Sequence, residues 1–582
     1  MKKKAKRSLA LLICIVMIIG AFAVPVSAAT ESAGSSGNKV SISDVSSILN
    51  ALSYKEYQKK FAGKQESTEG MKDVVIDITE DIVAEETTAT TEKVDGYYGK
   101  DGVLKTGDIG KVTWKFTVPV TGFYQIDIPY CQVVGKTTSI ERVFSLNGEV
   151  PFAEARSIVL QKVWKYDYEY KKDENGAFIL DEKGNKIPSF KLDGNGNDIR
   201  PSVIEDPKWI TYALQDVDGH YTSPFEFFLE AGENTITLES TRESVVLDDI
   251  ILRPTSSISI PTYQEYINKH GDIASNTPSV GSILIEGEMV TNTSSVTIYP
   301  LQDRTSPITS GLTGIQSAQV QKYNVAGGTQ WSTVGEWITY DVTVEQSGYY
   351  GIALRYKQDL LSGMYVSRKV YIDDELPFVE AAGCRFDFTD KWKVKYLGDE
   401  TQDFYFYLEE GTHTIKLEAV LADMGEQLRQ ISETLANLNN AYLEIIKLTG
   451  SDPDENRTYN FSKMMPHVLE TMMVESINLK KVFRYLSETT GLKGENTATL
   501  EQLYILLNKM ASDESEIAGN LETFKAQLGS LGTWITNVSA QPLKMDYLTV
   551  QPANSELPKS DGNFFQKLWY ELSMFFYSFV TD

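Results

Sequence analysis

Apolar and polar residues alternate along VTWKFTVPV (112–120) and WITYDVTV (337–344), the two-residue period of half-buried strands. A Thr-Gly or Ser-Gly turn follows each, and then a second strand: TGFYQIDIPY (121–130) in one case, SGYYGIALRY (347–356) in the other. Farther on, EAGENTITLE (230–239) and EEGTHTIKLE (409–418) read as strand–turn–strand units with Gly in the turn. Short strands separated by regular turns predict β-sandwiches.

The pairing of these segments extends along the chain. With Gly122 set on Gly348, Arg142 meets Arg368 and Pro151 meets Pro377 without a gap; Phe152, Glu154 and Ala155 meet Phe378, Glu380 and Ala381. The last strands, VVLDDIILRP (245–254) and PLKMDYLTVQP (542–552), put Asp248 on Asp546. This spacing is that of a duplicated domain, not a solenoid. Between Glu418 and Asp546, repeat two is interrupted where repeat one runs straight from Glu239 to Asp248. Inside the interruption the period changes. Leu421, Met424, Leu428, Ile431, Leu435, Leu438, Tyr442 and Ile445 step by three and four, as an amphipathic helix with a coiled-coil-like seam does. Further helices are predicted near 466–490, 499–511 and 514–538, with TLEQ (499–502) and DESE (513–516) as capping boxes.

The predicted fold class is mainly β with an α insertion: two jelly-roll-like β-sandwiches, the second interrupted by a helical bundle. The expected division is a leader at 1–28, a linker with a short helix at 29–71, and sandwich one at 72–255 with a hairpin insertion at about 160–208. A linker at 256–281 follows, then sandwich two at 282–420 plus 540–552, the bundle at 421–539 and an aromatic amphipathic helix at 553–582.

A chain of 582 residues is too long for one core, which agrees with this division. MKKKAKR, the apolar run after it and VSA before Ala29 have the form of a secretory signal peptide, with an uncleaved anchor as the alternative. Its removal would take the net charge from −25 to about −30, which makes nucleic acid and anionic lipid poor partners for the body of the protein. Outside the leader, Cys131 and Cys384 are too few for a disulfide framework and read as small core residues.

Several residues are candidates for chemistry. Arg142 and Arg368 lie among alternating apolar residues, each with a Glu (Glu154, Glu380) at equal spacing: a buried Arg–Glu pair, or the polar floor of a ligand site. WKYDYEY sets Trp164, Tyr166, Tyr168 and Tyr170 on one face of an extended strand, either a glycan platform or the aromatic face of an insertion hairpin. Trp209 and Trp392 share the pattern W-x(4)-L-x-D, which suits framework as well as ligand contact. Trp331, in AGGTQWSTVGEW, sits on a loop-like approach to a strand and is the better ligand candidate. KLDGNGNDIRP imitates the start of a calcium loop but lacks its Gly and final Glu, so it reads as a turn-rich hairpin. The four His residues are scattered, no nucleophile elbow, zincin motif or P-loop is present, and a non-enzymatic protein is expected. Phe564, Phe565, Leu568, Trp569, Leu572, Phe575, Phe576 and Phe579 form a broad apolar face at helical spacing, expected to pack on the sandwiches, a membrane or a partner.

Each repeat resembles the calcium-binding β-sandwich carbohydrate-binding modules of families 6 and 35, on the strength of ILIEGEM, WITYDVTVEQSGYYGIALRY, the EEGTHTIKLE hairpin and a last strand containing Asp. The arrangement over about 55–582 is similar to the N-terminal half of large secreted solute-binding proteins of Gram-positive sugar ABC transporters. The resemblance implies a structural calcium ion held in sandwich two by Glu286, Glu288 and Asp546. Glu286 and Glu288, two apart on the first strand, would face one side; solvated surface acids are the alternative. Repeat one keeps only Asp77 and Asp248 of that set, with Thr79 in place of the second Glu. It further implies binding of polysaccharide or oligosaccharide outside the cell, near its surface, as part of a sugar-uptake system with a separate solute-binding domain as partner. No alternating βα segments for such lobes remain after 553–582, so solute transport is not expected of this chain alone. The alternative function is an extracellular protein–protein assembly module with vestigial sugar sites.

Overall fold

The computed structural model describes residues 51–577 and 579, apart from 66, 87, 174, 181–185, 310–319 and 491–493. The expected leader and the start of the expected first linker lie outside the described residues. Two β-sandwiches follow one another. In the first, an eight-stranded sheet centred on Gly122–Gln132 shares a core with a five-stranded sheet centred on Gly110–Val118 and Gly232–Arg242. In the second, a six-stranded sheet centred on Gly348–Gln358 and Leu543–Pro552 faces a seven-stranded sheet built on Trp337–Val344, Gly411–Val420 and Tyr365–Ile372. Gly122–Gln132 and Gly348–Gln358 are the aligned segments, and each pairs antiparallel with the last strand of its own repeat. Alternation explains the core: Val112, Trp114, Phe116 and Val118 are buried, while Lys115 and Thr117 face out.

Each repeat also begins with a short helix, α1 (Tyr54–Phe61) and α2 (Tyr263–His270). Both carry a complete capping box, Ser53 with Glu56 and Thr262 with Glu265. The first N–H of each helix donates to a repeat-equivalent glutamate, Tyr54 to Glu154 at 2.9 Å and Tyr263 to Glu380 at 2.8 Å. The expected pairing of Glu154 with Arg142 and of Glu380 with Arg368 is therefore corrected, because these carboxylates are spent on helix N-termini. Four phenols then cover a strand edge: Tyr54 and Tyr57 accept the Glu226 and Phe228 N–H groups, and Tyr263 and Tyr266 accept those of Tyr405 and Tyr407. So the segments before the first strands, read as linkers, belong to the domains.

The insertion in sandwich one has an unexpected destination. Its strands Trp164–Tyr166 and Val203–Glu205 do not extend the first sandwich. They join the seven-stranded sheet of the second through Thr293, which pairs with Trp164. Tyr166 donates to Ile298 O at 2.9 Å and Tyr168 to Glu288 O at 2.8 Å. The hairpin beyond docks as well, with Asp198 2.9 Å from Lys322 Nζ. Within KLDGNGNDIRP, Asp193 accepts the N–H groups of Asn195 and Asn197, a turn held by its own first residue.

Between Gly411–Val420 and Leu543–Pro552 stand four long helices, α3 (Met424–Thr449), α5 (Pro466–Thr490), α6 (Glu495–Ser512) and α7 (Glu516–Ser539), with a single turn α4 (Phe461–Met464). The periodic seam is buried: Leu428, Ile431, Leu438 and Ile445 are all 0% exposed. The two capping boxes are not formed. Thr499 lies inside α6, whose N-cap is Gly494, and Asp513 instead accepts the N–H and hydroxyl of Ser515. The bundle leans on sandwich two, where Tyr485 meets Tyr365 at 3.2 Å and Arg385 donates to Thr489 O at 2.8 Å. Replacing 422–538 with a Gly/Ser linker is expected to leave cooperative β unfolding intact. It should lower sandwich stability by about 3 kcal/mol, roughly the re-exposure of one or two large side chains; circular dichroism melts check this.

The last helix, α8 (Phe564–Tyr577), has no buried residue. Phe564, Phe565 and Trp569 are 71–76% exposed, so the face expected to pack on the sandwiches does not. It is tethered near its start, where Lys567 pairs with Asp561 and Asp561 accepts the Ser306 hydroxyl. Cys131 and Cys384 are buried free thiols. Among the described residues no helix is long and apolar enough to cross a membrane.

Candidate functional site

The strand Ile283–Glu286 pairs with Leu543–Pro552 and so meets the last strand of its domain. The latter is bulged at Asp546: Met545 opposes Tyr356 and Tyr547 opposes Arg355, which leaves Asp546 as the extra residue. Gly287 turns the chain tightly onto that bulge. Its N–H donates to Asp546 O at 2.7 Å, and a Cβ there would fall 2.4 Å from Met545 O. Glu288 thus lies past the strand end, buried, while Glu286 is half-buried. They do not share a strand face as the two-residue spacing suggests.

Glu288 is 5% exposed and its Oε2 accepts no hydrogen bond. Burial pushes its carboxyl well above the usual range, and Glu286, Asp546 and Asp198 nearby push the same way. The three residues implied by the family resemblance sit around one backbone junction, with Glu286 opposite Tyr547 and Gly287, next to Glu288, bonded to Asp546 O. A buried carboxylate oxygen without a donor, beside further carboxylates, is a donor set that suits a hard cation. Against this, no three His, Cys, Asp or Glu side chains among the described residues converge tightly enough to enclose an ion by themselves. Carbonyls or water would have to complete a shell.

Raised above its unfolded value, Glu288 contributes stability that is fully present below the unfolded carboxylate pKa. That contribution is lost as pH rises through the folded one. In chelator at neutral pH, Glu288→Gln is expected to raise stability on the order of 1–3 kcal/mol, the cost of an unsatisfied buried polar group. The gain should vanish on acidification through the carboxylate range, as read by thermal melts across pH.

Asp546 carries a second feature. Its carboxylate is paired with the guanidinium of Arg355, both side chains at most 1% exposed. Arg355 also donates to Ser560 O (2.8 Å), Thr309 Oγ1 (2.9 Å) and Ser306 Oγ (2.9 Å), and lies 4.7 Å over the ring of Trp392. Trp392 is 2% exposed and donates to Thr305. The aligned residues of sandwich one repeat the motif with a different cation. Asp248 pairs with Lys100, whose Nζ lies 4.6 Å over the ring of Trp209. In sandwich one the partial metal set does not fit an ion. Asp77 Oδ1 accepts the N–H groups of Thr79 and Glu80, and Thr79 supplies no carboxylate where sandwich two has Glu288.

The expected sugar platforms are corrected by burial. Trp331 is 0% exposed, donates to Glu336 O at 3.0 Å and has the Arg368 guanidinium 3.9 Å from its ring. Such a ring offers no face to a sugar. Arg368 is fully buried and donates to Ser367 O and Gln541 O. Burial pulls it down to about 9, still charged at neutral pH. Arg142 likewise donates to Glu141 O and Arg242 O. Both arginines tie strands together. Trp164 and Tyr166, 4% and 5% exposed, are spent on the junction between sandwiches.

Residues 426–541 match the family model described as the bacterial solute-binding protein, 4-helix bundle domain. No curated protein matches the chain. Among solved structures, it is similar to a Paenibacillus cycloisomaltooligosaccharide glucanotransferase complexed with cycloisomaltoheptaose (21% identity over 25% of this chain and 17% of that one, TM-score 0.18). A Podospora anserina β-(1,4)-mannanase with a family 35 module is similar at 16% identity, over 35% of this chain and 32% of that one, TM-score 0.18. A family 35 carbohydrate-binding module from Clostridium thermocellum is matched at 15% identity over 32% of this chain and 99% of that one, TM-score 0.17. The chain thus spans under two thirds of the first two, and likenesses at these TM-scores assign neither ligand nor activity to it.

Proposed function

We propose that this is an extracellular, non-catalytic carbohydrate-binding protein that captures glycans for an ABC-type sugar-uptake system. The observation that carries the reading is the match of 426–541 to the helical bundle of bacterial solute-binding proteins, set inside a β-sandwich that follows another β-sandwich. The resemblance of both repeats to carbohydrate-binding modules supports the ligand class. A glycan array and affinity electrophoresis of the chain without its leader test it. Retention on at least one polysaccharide is expected, and retention on none would sink the reading.

A calcium ion at Glu286, Glu288 and Asp546 belongs to this reading. It would supply the positive charge that the buried Glu288 carboxylate lacks. Calcium is then expected to raise the melting temperature of the wild type and not that of Glu288→Gln. At a hundredfold excess over Kd the gain is about 2.7 kcal/mol. Equal responses of the two proteins would remove the ion. The assembly-module alternative has one observation in its favour, the exposed aromatic face of α8.

A further inference from the structure

Between the sandwiches lies a cavity of about 910 Å³, within the range of about 300–1,000 Å³ of small-molecule sites. One wall is the edge strand Ile210–Ala213 of sandwich one with Trp209 and the loop around Asp216. The other is the outward side of the sheet of sandwich two, where Trp337, Tyr371, Lys416 and Glu418 alternate with core residues. Its floor is polar although buried. Glu418 is 7% exposed and accepts the Tyr371 hydroxyl at 2.9 Å. Lys416 lies 5.0 Å over the ring of Trp337 and 4.7 Å over that of Tyr371. Across the gap, burial and then Glu418 and Asp216 hold the phenol of Tyr212 in its neutral form.

Carboxylates, hydroxyls and amides beside aromatic side chains are what a pyranose needs, acceptors and donors for its hydroxyls and apolar contact for its C–H groups. The charge of the lining selects further. Seven carboxylates face four basic side chains, and Arg253 is already paired with Asp127 at 2.9 Å. A uronate-rich chain would meet repulsion there, and a neutral sugar would not. The walls are also fixed in place: Trp164 pairs with Thr293 across the junction, Gln161 donates to Gly335 O at 2.8 Å, and Lys208 donates to Asn292 at 2.6 Å. A ligand entering would not have to order the two domains.

We propose that the cavity between the sandwiches binds a short neutral oligosaccharide, making the pair of domains, rather than either one, the recognition unit. This rests on the carbohydrate reading. The test fills the cavity from each wall at an exposed lining residue, Thr211→Trp and Glu375→Trp, in the full chain. Binding is measured by calorimetry with maltohexaose, cellohexaose, mannohexaose and xylohexaose, with polygalacturonate as the acidic control. At least one neutral hexaose is expected to bind the wild type. At least one variant should bind it tenfold or more weakly, with an unchanged melting temperature, and polygalacturonate should not bind. If wild type and both variants bind a neutral glycan alike, or if only polygalacturonate binds, the cavity assignment falls while the carbohydrate reading stands. If no glycan binds the wild type in this assay or on the array, both fall.

Discussion

Arg355→Met is expected to destabilise sandwich two by about 3–5 kcal/mol, the cost of removing one partner of a buried ion pair. The substitution keeps most of the volume and the contact with Trp392 but leaves the Asp546 carboxylate, 1% exposed, without its counter-charge. It also removes the donor to the Ser560 carbonyl and to the hydroxyl oxygens of Ser306 and Thr309. The double variant Arg355→Met, Asp546→Asn should recover much of the loss, because a neutral pair no longer buries an isolated charge. In sandwich one the same experiment has a different outcome. Lys100 and Asp248 are 40% and 26% exposed, so Lys100→Met should cost about 1 kcal/mol or less. Denaturant melts of the four proteins decide the matter; equal losses in the two sandwiches would refute the distinction.

Tyr54→Ala and Tyr263→Ala should each cost about 3–5 kcal/mol, as large-to-small changes at buried aromatics do. Tyr54 lies 4.7–4.9 Å from the rings of Phe152, Tyr221 and Phe225. Tyr263 is 4.8–5.0 Å from those of Phe378 and Phe404. Tyr→Phe at either position keeps the ring and removes the acceptor for Glu226 or Tyr405 N–H, for about 1–3 kcal/mol. The two repeats should respond alike here, because the helix makes matching contacts in each. A small effect of Tyr54→Ala on the melt of sandwich one would show that α1 is an appendage.

The strands were legible because alternation reports which side of a sheet is buried, and the bundle because its period changes from two to 3.6. What alternation does not report is which sheet receives a strand. WKYDYEY reads as an aromatic face, yet only the tertiary fold delivers Trp164 and Tyr166 to the neighbouring domain. Trp331 misled for a related reason: its neighbours are polar and small, and the group that buries it, Arg368, is remote in sequence. In the Asp–cation–Trp motif, Asp and Trp align between repeats and could be paired by sequence. The cations Lys100 and Arg355 occupy non-equivalent positions, so no spacing announces them. The capped helices did carry a signal, S/T-Y-x-E-Y before each repeat (SYKEY at 53–57, TYQEY at 262–266).

The interruption of sandwich two orders events during synthesis. The strand Leu543–Pro552 lies between Ile283–Glu286 and Gly348–Gln358 in the sheet, so both have an unsatisfied edge until the whole bundle has been made. Helical contacts are local and form fast, whereas this strand must close a long loop. The two ends of the bundle meet in the finished fold, where Ser367 pairs with Val420 and donates its N–H to Gln541, so an already folded bundle turns that long closure into a short one. The bundle then acts on the nascent chain as a splint, and a variant that slows its folding should show itself first as aggregation of newly made protein, before any change in the finished molecule.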